Sequence, residues 1–313
     1  MMRALVTGAS GFVGGYLVAA LRRNGAEVVP CGGPREGGDY FPIDLHDVAS
    51  LERALEAARP QVVFHLAAQT FVPQALESPL ETYDVNALGT ARLAEAVRRY
   101  AGAPPRVIFA STAEVYGPRS PSDYPLREDL DVRPANPYGA SKAAAEAMLG
   151  AAARSFGGDV LIARSFNHIG PGQNERFVVA SFAAQLSRVA RGAPPQLFVG
   201  DLTPARDFLD VRDVVEAYIA LARKPSPPHR AGCEVYNVCS GRAVAIRDIL
   251  RELIAIARVP VEVREEPQRM RASETPLSVG DPAKLRERTG WTPKIPLVQT
   301  LRDVYEGALR ERD

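Results

Sequence analysis

Short, continuously apolar runs alternate along this chain with longer stretches whose apolar residues recur every three or four positions. The first pattern occupies residues 4–7, 27–30, 62–65, 107–111 and 160–165, as in Val62-Val63-Phe64-His65. Runs this short with no polar face fit strands covered by helices on both sides. The second pattern predicts helices over 12–23, 47–58, 80–100 and 137–156. Asn136-Pro137 supplies an N-cap and a first-turn proline for the last of these. This alternation predicts an α/β fold, a Rossmann-type doubly wound parallel sheet.

After Ser165 the rhythm weakens. Gly170, Gly172, Pro194-Pro195, Pro227-Pro228, Pro293 and Pro296 cut the chain into short pieces. A helix over 210–223 and a strand over 233–238, returning to the main sheet, remain legible. The expected division is a dinucleotide-binding domain of 1–165 plus about 205–245, and a smaller C-terminal substrate-binding lobe of about 166–204 and 246–313. Pockets favour such junctions.

Composition excludes more than it assigns. The 313 residues, 46% hydrophobic, suffice for one large core or two joined domains. Lys plus Arg total 38 and Asp plus Glu 37, a net charge of +1. That balance gives no reason to expect nucleic acid or an anionic membrane as partner. The N-terminus runs straight into a strand without a signal-like apolar stretch. No window approaches the ~20 apolar residues of a membrane span. Cys31, Cys233 and Cys239 are odd in number and lack framework spacing, so buried, reduced thiols in a cytoplasmic protein are expected, with no metal site.

Candidate chemistry begins at Thr7-Gly8-Ala9-Ser10-Gly11-Phe12-Val13-Gly14, between the first strand and the first helix. Glycines there allow a tight turn, close approach of backbone to a pyrophosphate, and close helix–strand packing. The spacing is Gly-x-x-Gly-x-x-Gly rather than Gly-x-Gly-x-x-Gly, and a purely structural turn is the competing reading. Gly8, Ser10, Gly11, Phe12, Val13 and Gly14 are the candidate dinucleotide contacts. No acidic residue closes the second strand. Arg35 instead follows Cys31-Gly32-Gly33-Pro34, where it would neutralise a 2′-phosphate, so NADP(H) is favoured with NAD(H) possible. A solvated surface charge is the alternative for Arg35. Asp44 and Leu45 suit the adenine edge, though Asp44 also fits the run-up to a helix N-cap.

Tyr138 and Lys142 are four residues apart on one helix face. A phenol with a reference pKa of ~10 is poorly matched to neutral pH, and a nearby ammonium would lower it. The pair then suits proton exchange with a hydroxyl or carbonyl oxygen. Thr112, at the end of the strand over 107–111, would hydrogen-bond that same oxygen. Ordinary helix-surface and turn-capping roles are the bland readings of these three.

Together with His65-Leu66-Ala67-Ala68 and Asn86-Ala87-Leu88-Gly89-Thr90, these motifs resemble the extended short-chain dehydrogenase/reductases that act on nucleotide sugars. The resemblance covers essentially the whole chain. Gln69-Thr70-Phe71-Val72, Phe166-Asn167-His168-Ile169-Gly170-Pro171-Gly172-Gln173, Phe177-Val178-Val179-Ala180-Ser181, Arg206-Asp207-Phe208-Leu209-Asp210-Val211, Tyr236-Asn237-Val238-Cys239-Ser240-Gly241 and Arg269-Met270-Arg271 are similar to its GDP-mannose branch. The resemblance implies that Leu66, Ala67, Ala68, Gln69, Asn86 and Ser165 join Tyr138 and Lys142 along the dinucleotide. It places Thr70, Phe71 and Val72 beside the sugar with Thr112, Glu114 and Tyr138. It gives Asn167, Arg206 and Arg271 the sugar diphosphate, Val178 the guanosine and Glu274 the nucleoside hydroxyls. His168 is expected to be structural, held by a loop hydrogen bond.

The activity implied is NAD(P)H-dependent reduction of the C4 ketone of GDP-4-keto-6-deoxy-D-mannose to GDP-D-rhamnose, a step in polysaccharide biosynthesis, with Tyr138 as general acid. The face of hydride attack stays open, so GDP-6-deoxy-D-talose is the other product. A GDP-mannose 4,6-dehydratase using Glu114 as base, and a nucleotide-sugar 4-epimerase, are the competing enzymes. A non-catalytic dinucleotide-binding regulator is the reading from another class. The resemblance also implies a homodimer through a four-helix bundle of the Ala-rich helices over 80–100 and 137–156.

Overall fold

The computed structural model describes residues 1–33, 39–225, 231–266 and 275–310. The chain runs β1 (Arg3–Thr7), α1 (Phe12–Arg23), β2 (Glu27–Gly32), β3 (Phe41–Pro42), α2 (Val48–Ala58), β4 (Val62–His65), α3 (Val72–Glu77) and α4 (Pro79–Tyr83). It continues with α5 (Gly89–Arg99), β5 (Arg106–Thr112), α6 (Pro137–Phe156), β6 (Gly158–Ser165), β7 (Asn167–Ile169), α7 (Val178–Ala190), β8 (Gln196–Val199), β9 (Ala205–Asp210) and α8 (Val211–Arg223). Last come β10 (Ala231–Val238), β11 (Ala243–Ala245), α9 (Ile246–Ala257), β12 (Glu262–Glu265), β13 (Leu277–Ser278), α10 (Ala283–Thr289) and α11 (Leu297–Arg310).

Seven parallel strands form the main sheet in the order β10-β6-β5-β4-β1-β2-β3. Strand alternation sends neighbouring side chains to opposite faces. Val6, Phe64 and Ile108 therefore join Leu17, Leu21, Val214 and Tyr218 in one core. Leu5, Val63 and Phe109 join Leu51, Leu55, Leu93 and Leu149 in the other. Each face thus carries its own helical layer, α1 with α8 and α2 with α5 and α6. The chain order reverses between β1 and β4, whose last paired residues are Thr7 and His65. That switch point opens a crevice at the strands' carboxyl ends.

The smaller lobe is built differently. β7, β9, β11 and β13 make one short sheet, and β8 pairs with β12. A third core of Phe182, Leu186, Ile249, Leu253, Leu301 and Tyr305 binds α7, α9 and α11 to these strands. β9 belongs to this small sheet, whereas α8, which follows it at once, packs against α1 on the main sheet.

The helix predicted over 80–100 is present as α4 and α5 joined by a π-helical turn, with the short α3 ahead of it. Ser78, preceding Pro79, is forced out of helical conformation (φ −133°, ψ 67°), which ends α3 and starts α4. A π-helical turn over Asp84–Leu88 then separates α4 from α5. That extra residue accompanies Asn86, whose side chain is held by groups outside the helix, and such turns recur at functional sites. Elsewhere the capping signals hold: Asp47 accepts from the N–H groups of Ala49 and Ser50, and Asn136 from that of Gly139. Among the described residues, no helix is long and apolar enough to cross a membrane.

Candidate active site

The first turn has no room for side chains at two of its glycines. Gly8 has φ +69°, and a Cβ there would lie 2.7 Å from the Ala67 nitrogen. A Cβ on Gly14 would lie 2.1 Å from the Gly8 carbonyl oxygen. Gly11, the residue before α1, offers no side-chain cap, and the helix's first turn holds no acidic residue. The first N–H groups of α1 therefore point toward the crevice with a partial positive charge, a setting for a pyrophosphate. The residues present fit a dinucleotide.

Behind the turn lies a directed hydrogen-bond chain. Thr90 donates to the Asn86 carbonyl (2.6 Å), so its oxygen accepts from His65 Nε2 at 3.0 Å. His65 Nδ1 must then accept from the Thr7 hydroxyl at 2.7 Å, while Thr7 Oγ1 accepts from the Ala67 N–H at 3.2 Å. His65 is fully buried. Burial, helped by the Lys142 ammonium, pulls its pKa down to about 3 and keeps the imidazole neutral. Asn86 continues the chain: Oδ1 accepts from the Gln69 N–H (2.8 Å), and Nδ2 donates to the Gln69 carbonyl (2.8 Å) and to Ser141 Oγ (2.9 Å). Ser141 donates in turn to the Tyr138 carbonyl at 2.7 Å.

Tyr138, Lys142 and Glu146 share the buried face of α6. Burial pushes the Tyr138 phenol well above its ordinary value; a hydrogen bond with Thr112 pulls it down and the Glu114 carboxylate pushes it up. The anticipated lowering by Lys142 is not among these influences, and desolvation dominates. The lysine is itself desolvated, its pKa brought down to about 7, with Glu146 acting in the opposite sense. Lys142 Nζ donates to the Ala110 carbonyl at 2.7 Å and sits 4.6 Å from the Phe109 ring centre. Beneath it, Glu146 accepts from Ser111 Oγ (2.5 Å) and from Arg164 (2.7 Å to Nη2), a fully buried ion pair. Glu114 accepts from Asn136 Nδ2 at 2.9 Å.

These groups converge on one cleft of about 1070 Å³. It starts at Gly32, Gly33, Asp44 and Leu45, passes Gly8, Ser10, Gly11, Phe12, Val13, Gly14 and Leu66, Ala67, Ala68 and Gln69, and reaches Thr112, Glu114, Tyr138 and Ser165. Thr70, Phe71, Val72, Asn167 and Val178 line its far end. Asp44 keeps its carboxylate below the usual range through bonds from the His46 N–H and ring, rather than capping α2, which is Asp47's role. His168 donates from Nδ1 to the Phe166 carbonyl at 3.0 Å, and its ring parallels that of Phe12.

Three expected residues lie off the cleft surface. Asn86 and Lys142 are buried behind it, Asn86 with its amide fully engaged. Arg206 donates to the carbonyls of Ala205 (2.9 Å) and Pro276 (3.4 Å), with its pKa lowered by burial against the opposing field of Glu114. Arg35, Arg271 and Glu274 lie outside the described residues. The cleft also recruits Phe177, the neighbour of Val178 in the stretch the resemblance singled out, and Arg176, which sequence reasoning did not place in the site; a lone charge in an irregular loop leaves no periodic signal. The three cysteines are free thiols, and burial raises Cys31 to about 12 and Cys233 to about 11.

The family described as GDP-mannose 4,6 dehydratase matches residues 35–304. Over 99% of both chains, the sequence is 39% identical to GDP-6-deoxy-D-mannose reductase of Pseudomonas aeruginosa. GDP-mannose 4,6-dehydratase of Yersinia enterocolitica is 27% identical, over 99% of this chain and 95% of the relative. Among solved structures, RMD from Pseudomonas aeruginosa complexed with NADPH superposes with a TM-score of 0.85 at 39% identity, covering 99% of each chain. Thermus thermophilus UDP-glucose 4-epimerase in complex with NAD gives 0.86 at 32% identity, over 98% of this chain and 99% of that one.

Proposed function

The chain belongs to the GDP-mannose 4,6-dehydratase family, in the nucleotide-sugar branch of the extended short-chain dehydrogenase/reductases, and we propose that it reduces the C4 ketone of GDP-4-keto-6-deoxy-D-mannose to GDP-D-rhamnose with NADPH. One observation carries the reaction class: the Tyr138 phenol, hydrogen-bonded to Thr112, faces a cleft that begins at the Gly8 turn. The 39% identity to a reductase over the full length of both chains supports reduction over dehydration.

When bound, NADPH supplies the hydride; the protein supplies position and the proton. Burial keeps Tyr138 in its protonated form at neutral pH, the form a general acid needs. Thr112 accepts from the Glu114 N–H at 3.2 Å, which orients its own proton toward the phenol or the ketone oxygen. Lys142, close to neutrality, stands behind as the group that restores the proton and carries the nicotinamide ribose. Asn167 and Arg206 with Arg271 are assigned to the sugar diphosphate, Val178 to the guanosine and Glu274 to nucleoside hydroxyls.

NADP(H) is favoured over NAD(H) because no carboxylate closes β2 among the described residues, and the structural relative from Pseudomonas aeruginosa carries NADPH. We assign the 2′-phosphate to Arg35. The functional division is 1–165 with about 205–245 for the dinucleotide, and about 166–204 with 246–313 for the sugar nucleotide, with β9 and β11 at the ends of the 205–245 segment pairing in the smaller lobe's sheet. A cytoplasmic homodimer joined through a four-helix bundle completes the proposal. Its support is the exposed Leu80 (80%), Leu88 (45%) and Met148 (36%) on the helical stretches concerned. Light scattering after size exclusion tests the dimer.

The deciding assay is NADPH oxidation with enzymatically prepared GDP-4-keto-6-deoxymannose, followed by NMR of the product sugar. Ketone-dependent oxidation giving the rhamno product is the expected result; the talo epimer would correct only the stereochemistry. Turnover of GDP-mannose without net cofactor consumption would instead identify Glu114 as the base of a dehydratase.

A further inference from the structure

Most of the charge lining the cleft has the wrong sign for its cargo. Asp44, Glu81 and Glu114 face it, and both a dinucleotide phosphate and a sugar nucleotide are polyanions. At the dinucleotide end, the uncapped backbone N–H groups of α1 are available to a pyrophosphate. At the substrate end, among the described lining residues, Arg176 alone carries a permanent positive charge.

Its setting is specific. The guanidinium carbon lies 5.0 Å from the ring centre of Phe71 and 5.6 Å from that of Phe177, and the two rings meet edge to face at 6.0 Å. Phe71 belongs to the loop after β4 of the main sheet, whereas Phe177 precedes α7 of the smaller lobe, so the cation spans the cleft. The neighbouring carboxylate, Glu175, is taken by Arg188 at 3.0 Å. No acidic residue occupies the first turn of α7. Arg176 makes no ion pair among the described residues. Packing over the rings uses none of the guanidinium N–H donors, which leaves its fork for a doubly charged acceptor.

We infer that Arg176 is a further substrate-binding residue that grips the diphosphate of the incoming sugar nucleotide, pinning it across the mouth of the cleft. The inference rests on the reductase reading for the identity of its ligand. It assigns Arg176 no part in proton or hydride transfer. The competing account is a solvated arginine that merely packs on two rings.

Calorimetric titration of GDP into the NADPH-saturated protein separates them. Loss of one charged hydrogen-bonding partner corresponds to about 10- to 100-fold, so Arg176→Ala should weaken GDP by that factor. Arg176→Lys, which keeps the charge but loses the fork, should fall between. GDP affinity should depend more steeply on salt in the wild type than in the alanine variant. In the ketone assay, KM should rise in step with the GDP dissociation constant while kcat holds. An alanine variant that binds GDP as the wild type does, or a wild type that binds no GDP, overturns the inference. GDP binding that depends on Arg176 without ketone-dependent NADPH oxidation would sink the reductase reading and leave this residue's role standing.

Discussion

The two ends of the cleft are made of different material. At the dinucleotide end the contacts are backbone: a left-handed glycine, a helix start with no capping side chain, and a second glycine under a carbonyl oxygen. At the substrate end they are side chains, including Thr112, Glu114, Tyr138, Asn167 and Arg176, drawn from both the main sheet and the smaller lobe. A backbone site recognises a feature common to every dinucleotide and tolerates almost no substitution. A side-chain site can be retuned one residue at a time, which is how one scaffold serves reductases, dehydratases and epimerases.

Substitutions should separate the ends. Tyr138→Phe should lower kcat by about 10²–10⁴-fold while NADPH and GDP-sugar binding stay close to wild type, read by steady-state kinetics and titration. Near-normal turnover would remove the phenol from the mechanism. Glu146→Gln strikes the floor beneath both ends, leaving the Arg164 charge buried without a counter-charge; urea unfolding should show a loss of about 3–5 kcal/mol. Gly14→Ala is aimed at the backbone end. Overpacking against the Gly8 carbonyl should destabilise the fold by about 1–3 kcal/mol and reduce NADPH affinity. If NADPH binding survives unchanged, the turn is not the pyrophosphate site.

The smallest effect expected is in pH dependence. A lysine whose pKa is brought down to about 7 binds fewer protons folded than unfolded between there and its ordinary value of 10.5. Its contribution to stability is therefore present above 10.5 and lost as pH falls through about 7. The melting temperature of Lys142→Met should accordingly rise less than that of the wild type between pH 7 and 10. Parallel curves would mean the lysine is charged in the fold.

The same contrast explains what the sequence disclosed. Val62–His65 and its neighbours were legible because a doubly covered parallel strand is apolar at every position, and Gly8 and Gly14 because nothing else fits there. The start of the helix after Ser78-Pro79 was legible, whereas the π-helical turn over Asp84–Leu88 inside it leaves no mark on a three-to-four-residue period. The strands of the smaller lobe, down to the two residues of Leu277–Ser278, are too short to show any alternation. Tyr138 and Lys142 were read as a pair, but the direction of the phenol's shift depends on burial, which spacing does not encode. Arg176 was missed because its partners, Phe71 and Phe177, are far apart in the chain.

Asn86 has a mechanical consequence. One amide ties both backbone groups of Gln69 to Ser141, and Ser141 to the residue that bears the phenol. The loop leading to Phe71 and the helix carrying the acid are thereby riveted into a single jaw. A displacement of that loop is therefore passed on to the residue that donates the proton, while the smaller lobe lies outside this chain of bonds.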